Sequence, residues 1–202
     1  MPARGLYLIT PEDGDTLRLV QRVRALLQFA ALLQYRDKLA DPGSRLERAQ
    51  ALQALCAEFH VPLIINDDVE LAAAVTAAGV HLGEDDGAIA TARVRLGSDA
   101  IIGASCYDSI ELARTAAAQG ADYIAFGALF PSSTKPHARK ATPQLFAAAA
   151  PLGVPRVAIG GITPDNVRMA VAAGADLVAV ISGVFDATDP VSAARACAAA
   201  FD

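Results

Sequence analysis

Val157-Ala158-Ile159-Gly160-Gly161-Ile162 and, one helix-length later, Leu177-Val178-Ala179-Val180-Ile181-Ser182-Gly183 decide the fold. Both runs are apolar without polar alternation, as a parallel strand is when both its faces are covered, and both close on glycine or serine. Between them, residues 164 to 173 carry a helical pattern that ends at Ala173-Gly174. The unit is therefore strand, helix, strand.

The same unit recurs along the whole chain. Apolar runs lie at Leu6-Ile9, Ala30-Gln34, Val61-Ile65, Gly79-Leu82, Ala100-Ala104, Ala121-Phe126, Val154-Ile159 and Ala175-Ile181. Helical patterns fill the intervals at about 16 to 29, 44 to 59, 69 to 78, 87 to 96, 109 to 119, 143 to 150 and 164 to 173, with a last one at 190 to 201. Helix starts are marked by Asp108 or Ser109 before Glu111, by Thr163 before Pro164 and by Asp189 before Pro190. Eight alternating units with no break in composition close most naturally into one (β/α)8 TIM barrel, a single domain over residues 1–202. An open doubly wound sheet is the alternative, but no Gly-x-Gly-x-x-Gly follows the first strand.

Composition narrows the function classes. With 53% hydrophobic and 19% charged residues the 202-residue chain reads as globular, and a net charge of -5 without a Lys/Arg run disfavours bulk nucleic-acid binding. The longest stretch free of Asp, Glu, Lys and Arg, Ala141 to Pro155, holds three prolines, so no membrane helix is expected. Met1-Pro2-Ala3-Arg4 runs straight into the first strand without a secretory pattern, which makes the cytoplasm the expected location. Cys56, Cys106 and Cys197 lack metal-site spacing and read as buried, reduced thiols.

Polar residues gather where strands end. Gln34-Tyr35-Arg36-Asp37-Lys38, Asn66-Asp67-Asp68, Glu84-Asp85-Asp86 and Ser132-Ser133-Thr134-Lys135 would all meet at one mouth of a parallel barrel. Two cations, two carboxylate clusters and a further lysine suit a polyphosphate carried with Mg²⁺, which takes one or two carboxylates plus phosphate oxygens. Asp67 and Asp86, one unit apart, could share that ion; the alternative is a cap at Asp67 or Asp68 and a solvated acidic loop. Gln34, Arg36 and Lys38 alternate onto one side, or form a solvated strand end. Gly161 and Ser182, beyond strands seven and eight, together read as a phosphate cradle, although either turn alone fits a tight turn of a small barrel equally well.

Lys135 lies in a long Ser/Thr/Pro loop that reads as a lid, whereas Arg139 and Lys140 read as surface charge. His60 and His137 read as structural or solvated, and His81 as a buried, hydrogen-bonded histidine more than a base. With no acid/base pair in view, the site is suited to electrostatic departure of a leaving group.

Taken together, Leu6 to Thr10, Gln34 to Lys38, Leu63 to Val69, Gly79 to Asp86, Gly103 to Ser105, Asp122 to Pro136, Val157 to Ile162 and Val180 to Ser182 resemble the thiamine-phosphate synthase family over nearly the full length. The resemblance implies a (β/α)8 enzyme joining an aminopyrimidine methyl diphosphate to a thiazole phosphate with release of diphosphate. It implies that Gln34, Arg36, Lys38, Asn66, Ser105 and Lys135 contact the pyrimidine diphosphate, with Arg36, Lys38 and Lys135 stabilising its departure. Asp67 and Asp86 match the Mg²⁺ ligands, and Ser132, Ser133, Thr134, Gly161, Ile181 and Ser182 the thiazole phosphate side. A homodimer is implied at the same level.

Two departures stand out. The second strand reads Gln-Tyr-Arg-Asp-Lys against an expected Gln-Leu-Arg-Glu-Lys, which spares the three polar positions, and Cys106-Tyr107 follows Ser105 where many relatives place a histidine. Two other readings of the same barrel are a thiazole phosphate tautomerase and a noncatalytic sensor of a phosphorylated ligand. The retained Arg36, Lys38, Asp67, Asp86 and Lys135 weigh against the tautomerase, which needs no diphosphate pocket.

Overall fold

Eight short apolar runs take extended backbone and pair in sequence order into a closed parallel barrel, β1 meeting β8 to complete the ring. The computed structural model describes residues 4–131 and 139–202. The strands are β1 (Gly5–Ile9), β2 (Ala30–Tyr35), β3 (Leu63–Asn66), β4 (Gly79–Leu82), β5 (Ile101–Tyr107), β6 (Tyr123–Phe126), β7 (Arg156–Ile159) and β8 (Leu177–Val180). Each run expected from the sequence holds one of these strands, with ends shifted by a few residues.

The helices are α1 (Thr16–Arg24), α2 (Pro42–Phe59), α3 (Val69–Ala74), α4 (Ile89–Leu96), α5 (Ile110–Ala118), α6 (Pro143–Ala149), α7 (Val167–Ala172), α8 (Ser182–Phe185) and α9 (Pro190–Ala198). Caps fix several starts: Asp68 accepts from the Leu71 amide, Ser109 from Leu112 and Asp189 from Ser192. Two expectations need correction. Thr163 does not cap the seventh helix; Asn166 turns its side chain back to accept from the Thr163 amide, so a turn occupies 163–166 and α7 starts at Val167. The four-residue α8 was not expected, because a single turn is too short to show helical periodicity.

Strand alternation divides the core in two. One set, including Tyr7, Leu32, Ile64, Tyr123, Val157 and Leu177, fills the barrel interior. The opposite faces, including Leu6, Leu33, Ile65, Ile102 and Val178, bury against the helices. This two-sided burial is why the strands lack polar alternation. The three cysteines are free and buried, and burial pushes the thiols of Cys56 and Cys106 up to about 12 and that of Cys197 to about 11. Among the described residues no helix is long and apolar enough to cross a membrane.

Candidate active site

At the carboxyl ends of the strands the barrel opens into a cavity of about 440 Å³. Every described residue that the resemblance assigns to the site reaches its wall: Gln34 on β2 with Arg36 and Lys38 just beyond it, Asn66 on β3 with Asp67 just beyond it, Asp86 beyond β4, and Ser105 on β5. Across the ring, Gly161 follows β7, and Ile181 and Ser182 follow β8. Ser132, Ser133, Thr134, Lys135 and His137 lie outside the described residues. The base of their loop is tied down: Ala128 donates to the Arg139 carbonyl at 2.6 Å, Ala141 to Ala128 at 3.0 Å, and Phe130 to Gly160 at 3.0 Å.

The end of β2 alternates as expected. Asp37 turns away from the cavity to a buried ion pair with Arg48 at 2.5 Å, while its neighbours Arg36 and Lys38 face inward. Glu12, which sequence reading passed over, organises this edge. It accepts from the Arg36 guanidinium at 2.8 Å and from the Lys38 amide at 3.1 Å.

Lys38 Nζ lies 3.0 Å from Asp67 Oδ2. Asp67 takes a left-handed backbone at φ 64°, which aspartate tolerates better than a branched residue would. Burial opposes ionisation of Asp67, but hydrogen bonding to Asp86 and the nearby Lys38 ammonium outweigh it and hold the carboxyl below its ordinary value. Asp86 moves the other way, raised first by burial and then by its hydrogen bond with Asp67. Asp86 also accepts from the Gly83 amide at 2.8 Å.

Two carboxyls that shift each other's ionisation beside a lysine form a place that a cation could occupy. The donors are hard carboxylate oxygens from two residues, which fits Mg²⁺ completed by water and phosphate oxygens. Among the described residues there is no cluster of three or more His, Cys, Asp or Glu that would make a self-sufficient metal cage. Asp68, expected as a cap, is one, and it also pairs with Arg45.

The glycine-lined side has a structural reason of its own. Gly161 sits at φ 62°, and a Cβ there would collide with the carbonyls of Pro131 and Phe130. Turn geometry alone thus requires glycine at 161, which leaves any phosphate role to be tested separately.

Arg139 is not simple surface charge. It lines the cavity, its guanidinium 4.7 Å from the centre of the Tyr107 ring and 3.2 Å from Glu84. His81 is hydrogen-bonded as expected, at 2.9 Å to both Tyr123 Oη and Ser105 Oγ. Its place on the cavity floor, with Tyr7 beside it on the wall, could not be read from spacing.

A (β/α)8 barrel with a cationic, acidic edge at β2–β4 and a glycine-lined edge at β7–β8 has the chemistry suited to phosphorylated small molecules. Comparison with known proteins sharpens this. The model of the family described as thiamine monophosphate synthase matches residues 6–184. The chain is 59% identical over 199 residues to thiamine-phosphate synthase of Xanthomonas campestris pv. campestris, covering 98% of this chain and 96% of the relative. It is 58% identical over 204 residues to the Chromobacterium violaceum enzyme of that name, covering 100% and 99%. Among solved structures, thiamine phosphate pyrophosphorylase from Pyrococcus furiosus superimposes with a TM-score of 0.86 at 34% identity, covering 98% and 96%. The chain belongs to the thiamine monophosphate synthase family, and it is an enzyme of the transferase class.

Proposed function

We propose that the cavity makes thiamine phosphate from an aminopyrimidine methyl diphosphate and a thiazole phosphate, with release of diphosphate. The relatives' shared name supports the reaction. The observation that supports the division of labour is the convergence of Arg36, Lys38 and the Asp67–Asp86 pair at the ends of β2 to β4, with Gly161 and Ser182 at the ends of β7 and β8, two to four strands away around the ring. Two separately recognised anions need two separated pockets.

In this reading Arg36 and Lys38 bind the diphosphate, and Lys135, from the segment that follows β6, completes the cationic set. Mg²⁺ held by Asp67 and Asp86 would supply further positive charge to the leaving oxygens. Arg36 brings a planar fork already braced by Glu12, so little reorganisation is needed as negative charge develops. Gln34, Asn66 and Ser105 orient the pyrimidine half. Gly161, Ile181 and Ser182, with Ser132, Ser133 and Thr134, hold the thiazole phosphate so that its ring nitrogen faces the carbon losing diphosphate. The bond from that carbon to diphosphate breaks, the bond to the thiazole nitrogen forms, and no protein nucleophile takes part.

The net charge of -5 agrees with small-molecule substrates rather than nucleic acid. A cytoplasmic homodimer is the accompanying assignment.

Incubation with both substrates and Mg²⁺, following diphosphate release, tests the reading. Release that needs both substrates supports it. A tautomerase would convert the thiazole phosphate alone, and a sensor would release nothing.

A further inference from the structure

Five side chains from five strands form one unbroken hydrogen-bonded row across the cavity floor. Gln34 Nε2 donates to Tyr7 Oη at 2.8 Å, and the Tyr7 and Tyr123 hydroxyls lie 2.7 Å apart. Tyr123 Oη is 2.9 Å from His81 Nδ1, and His81 Nε2 is 2.9 Å from Ser105 Oγ. Both phenols are buried, and burial raises their pKa values well above the ordinary 10.0, so each keeps its proton. The rings are packed as well as bonded. Tyr7 meets Tyr123 edge-on at 5.8 Å, and Tyr123 stacks on His81 at 5.5 Å.

Proton counting gives the row a direction. A phenol donates once. Tyr7 Oη already receives the Gln34 N–H, so the proton between the two tyrosines is that of Tyr7. Tyr123 must then give its proton to His81 Nδ1. The imidazole carries its own proton on Nε2 and donates to Ser105, whose remaining hydroxyl proton is left for the cavity.

We propose that Tyr7, Tyr123 and His81 are positioning residues that set the polarity of both ends of the substrate pocket: Gln34 Oε1 as an acceptor and the Ser105 hydroxyl as a donor. Reversing the row would flip the Gln34 amide and turn Ser105 into an acceptor, exchanging the two ends together. A ligand with an N–H group near Gln34 and an anionic or lone-pair oxygen or nitrogen near Ser105 is accepted. A ligand of opposite polarity sets a lone pair against Gln34 Oε1 and offers the Ser105 proton no acceptor, which discriminates far more strongly than a change of size. An amino-substituted heterocycle bearing a diphosphate has the accepted polarity. That match rests on the function proposed above, whereas the direction of the row does not.

The test uses the whole protein, ligand-free at neutral pH, with nitrogen-15 histidine, in wild type and Tyr123→Phe. The expected result is a His81 imidazole held as the Nε2–H tautomer in wild type and as a tautomer mixture once the donor to Nδ1 is gone. Kinetically, Tyr123→Phe should raise KM for the pyrimidine diphosphate about tenfold, as expected for a misdirected hydrogen bond, and leave KM for the thiazole phosphate within about twofold. An Nδ1–H tautomer or a doubly protonated ring in wild type would overturn the proposal. An unchanged tautomer and unchanged KM in folded Tyr123→Phe would also overturn it. If that variant does not fold, Tyr7→Phe interrupts the row one bond earlier and is judged by the same readouts. Wild-type protein that releases no diphosphate would count against the proposed function alone, because the tautomer is measured without substrate.

Discussion

Gly103 on β5 and Tyr123 on β6 are register partners, and the Tyr123 ring lies where a side chain at Gly103 would stand. A Cβ on residue 103 would fall on the ring's Cζ and hydroxyl. Glycine at 103 therefore makes room for the phenol at the centre of the Gln34–Ser105 row.

Gly103→Ala should destabilise the protein by about 1 to 3 kcal/mol, the range for overpacking a tight interior. Denaturant unfolding measures it. Unchanged stability would mean that the ring shifts freely and that its position is not fixed by this contact.

Asp86→Asn and Asp67→Asn should each raise the Mg²⁺ requirement for activity, since each removes a hard anionic donor. The pH dependence has a definite sign. Asp86 is raised and Asp67 lowered, so as pH falls Asp86 takes up its proton first and the metal loses a ligand while Asp67 stays charged. At limiting Mg²⁺ the rate should fall on the acid side and recover when Mg²⁺ is added in excess. Acid loss that no amount of Mg²⁺ reverses would rule out proton–metal competition at this pair.

Asp13 supplies acid-sensitive stability. Hydrogen bonding from Arg18 dominates over the cost of burial, and with the Asp15 amide and Arg22 it lowers the carboxyl from 3.8 to about 2. A carboxylate with a depressed folded-state pKa stabilises above its unfolded value. That contribution is present above pH 3.8 and is lost as pH falls towards about 2. Asp13→Asn should remove roughly 2 kcal/mol at neutral pH, with the gap from wild type closing through this window. A gap that stays constant down to pH 2 would show that the effect is not electrostatic.

Arg139→Ala should weaken binding of the phosphorylated substrates by about 1.5 to 3 kcal/mol if the guanidinium contacts an anion, with little change in melting because the side chain is half exposed. Arg139→Lys should restore part of the affinity but not the contact with the Tyr107 ring. Equal binding by all three proteins would return Arg139 to surface charge.

Much of the architecture was legible in the chain because burial on two faces leaves a mark on every strand. Leu177-Val178-Ala179-Val180 cannot be exposed on either side, and eight such runs in alternation with helices leave few topologies. The placement of Gln34, Arg36, Asn66, Asp67, Ser105 and Ser182 around one cavity follows from the same rule, since parallel strands bring their carboxyl ends together. Their chemical roles do not follow from it.

Where the sequence was silent, partners distant along the chain made the decision. Tyr7 and Tyr123 are separated by 116 positions, and each by itself reads as an aromatic core residue. Only closure of the ring brings their hydroxyls within hydrogen-bonding distance and aligns them with Gln34, His81 and Ser105. Arg139 likewise gained its place from the fixed base of a loop, and α8 from a turn too short to leave a period. Periodicity records whether a side chain is buried, and so the sequence by itself determined the barrel and the rim. The Gln34–Ser105 row and the opposite shifts of Asp67 and Asp86 depend on distances of a few ångströms between separate strands, and only the tertiary structure decided those.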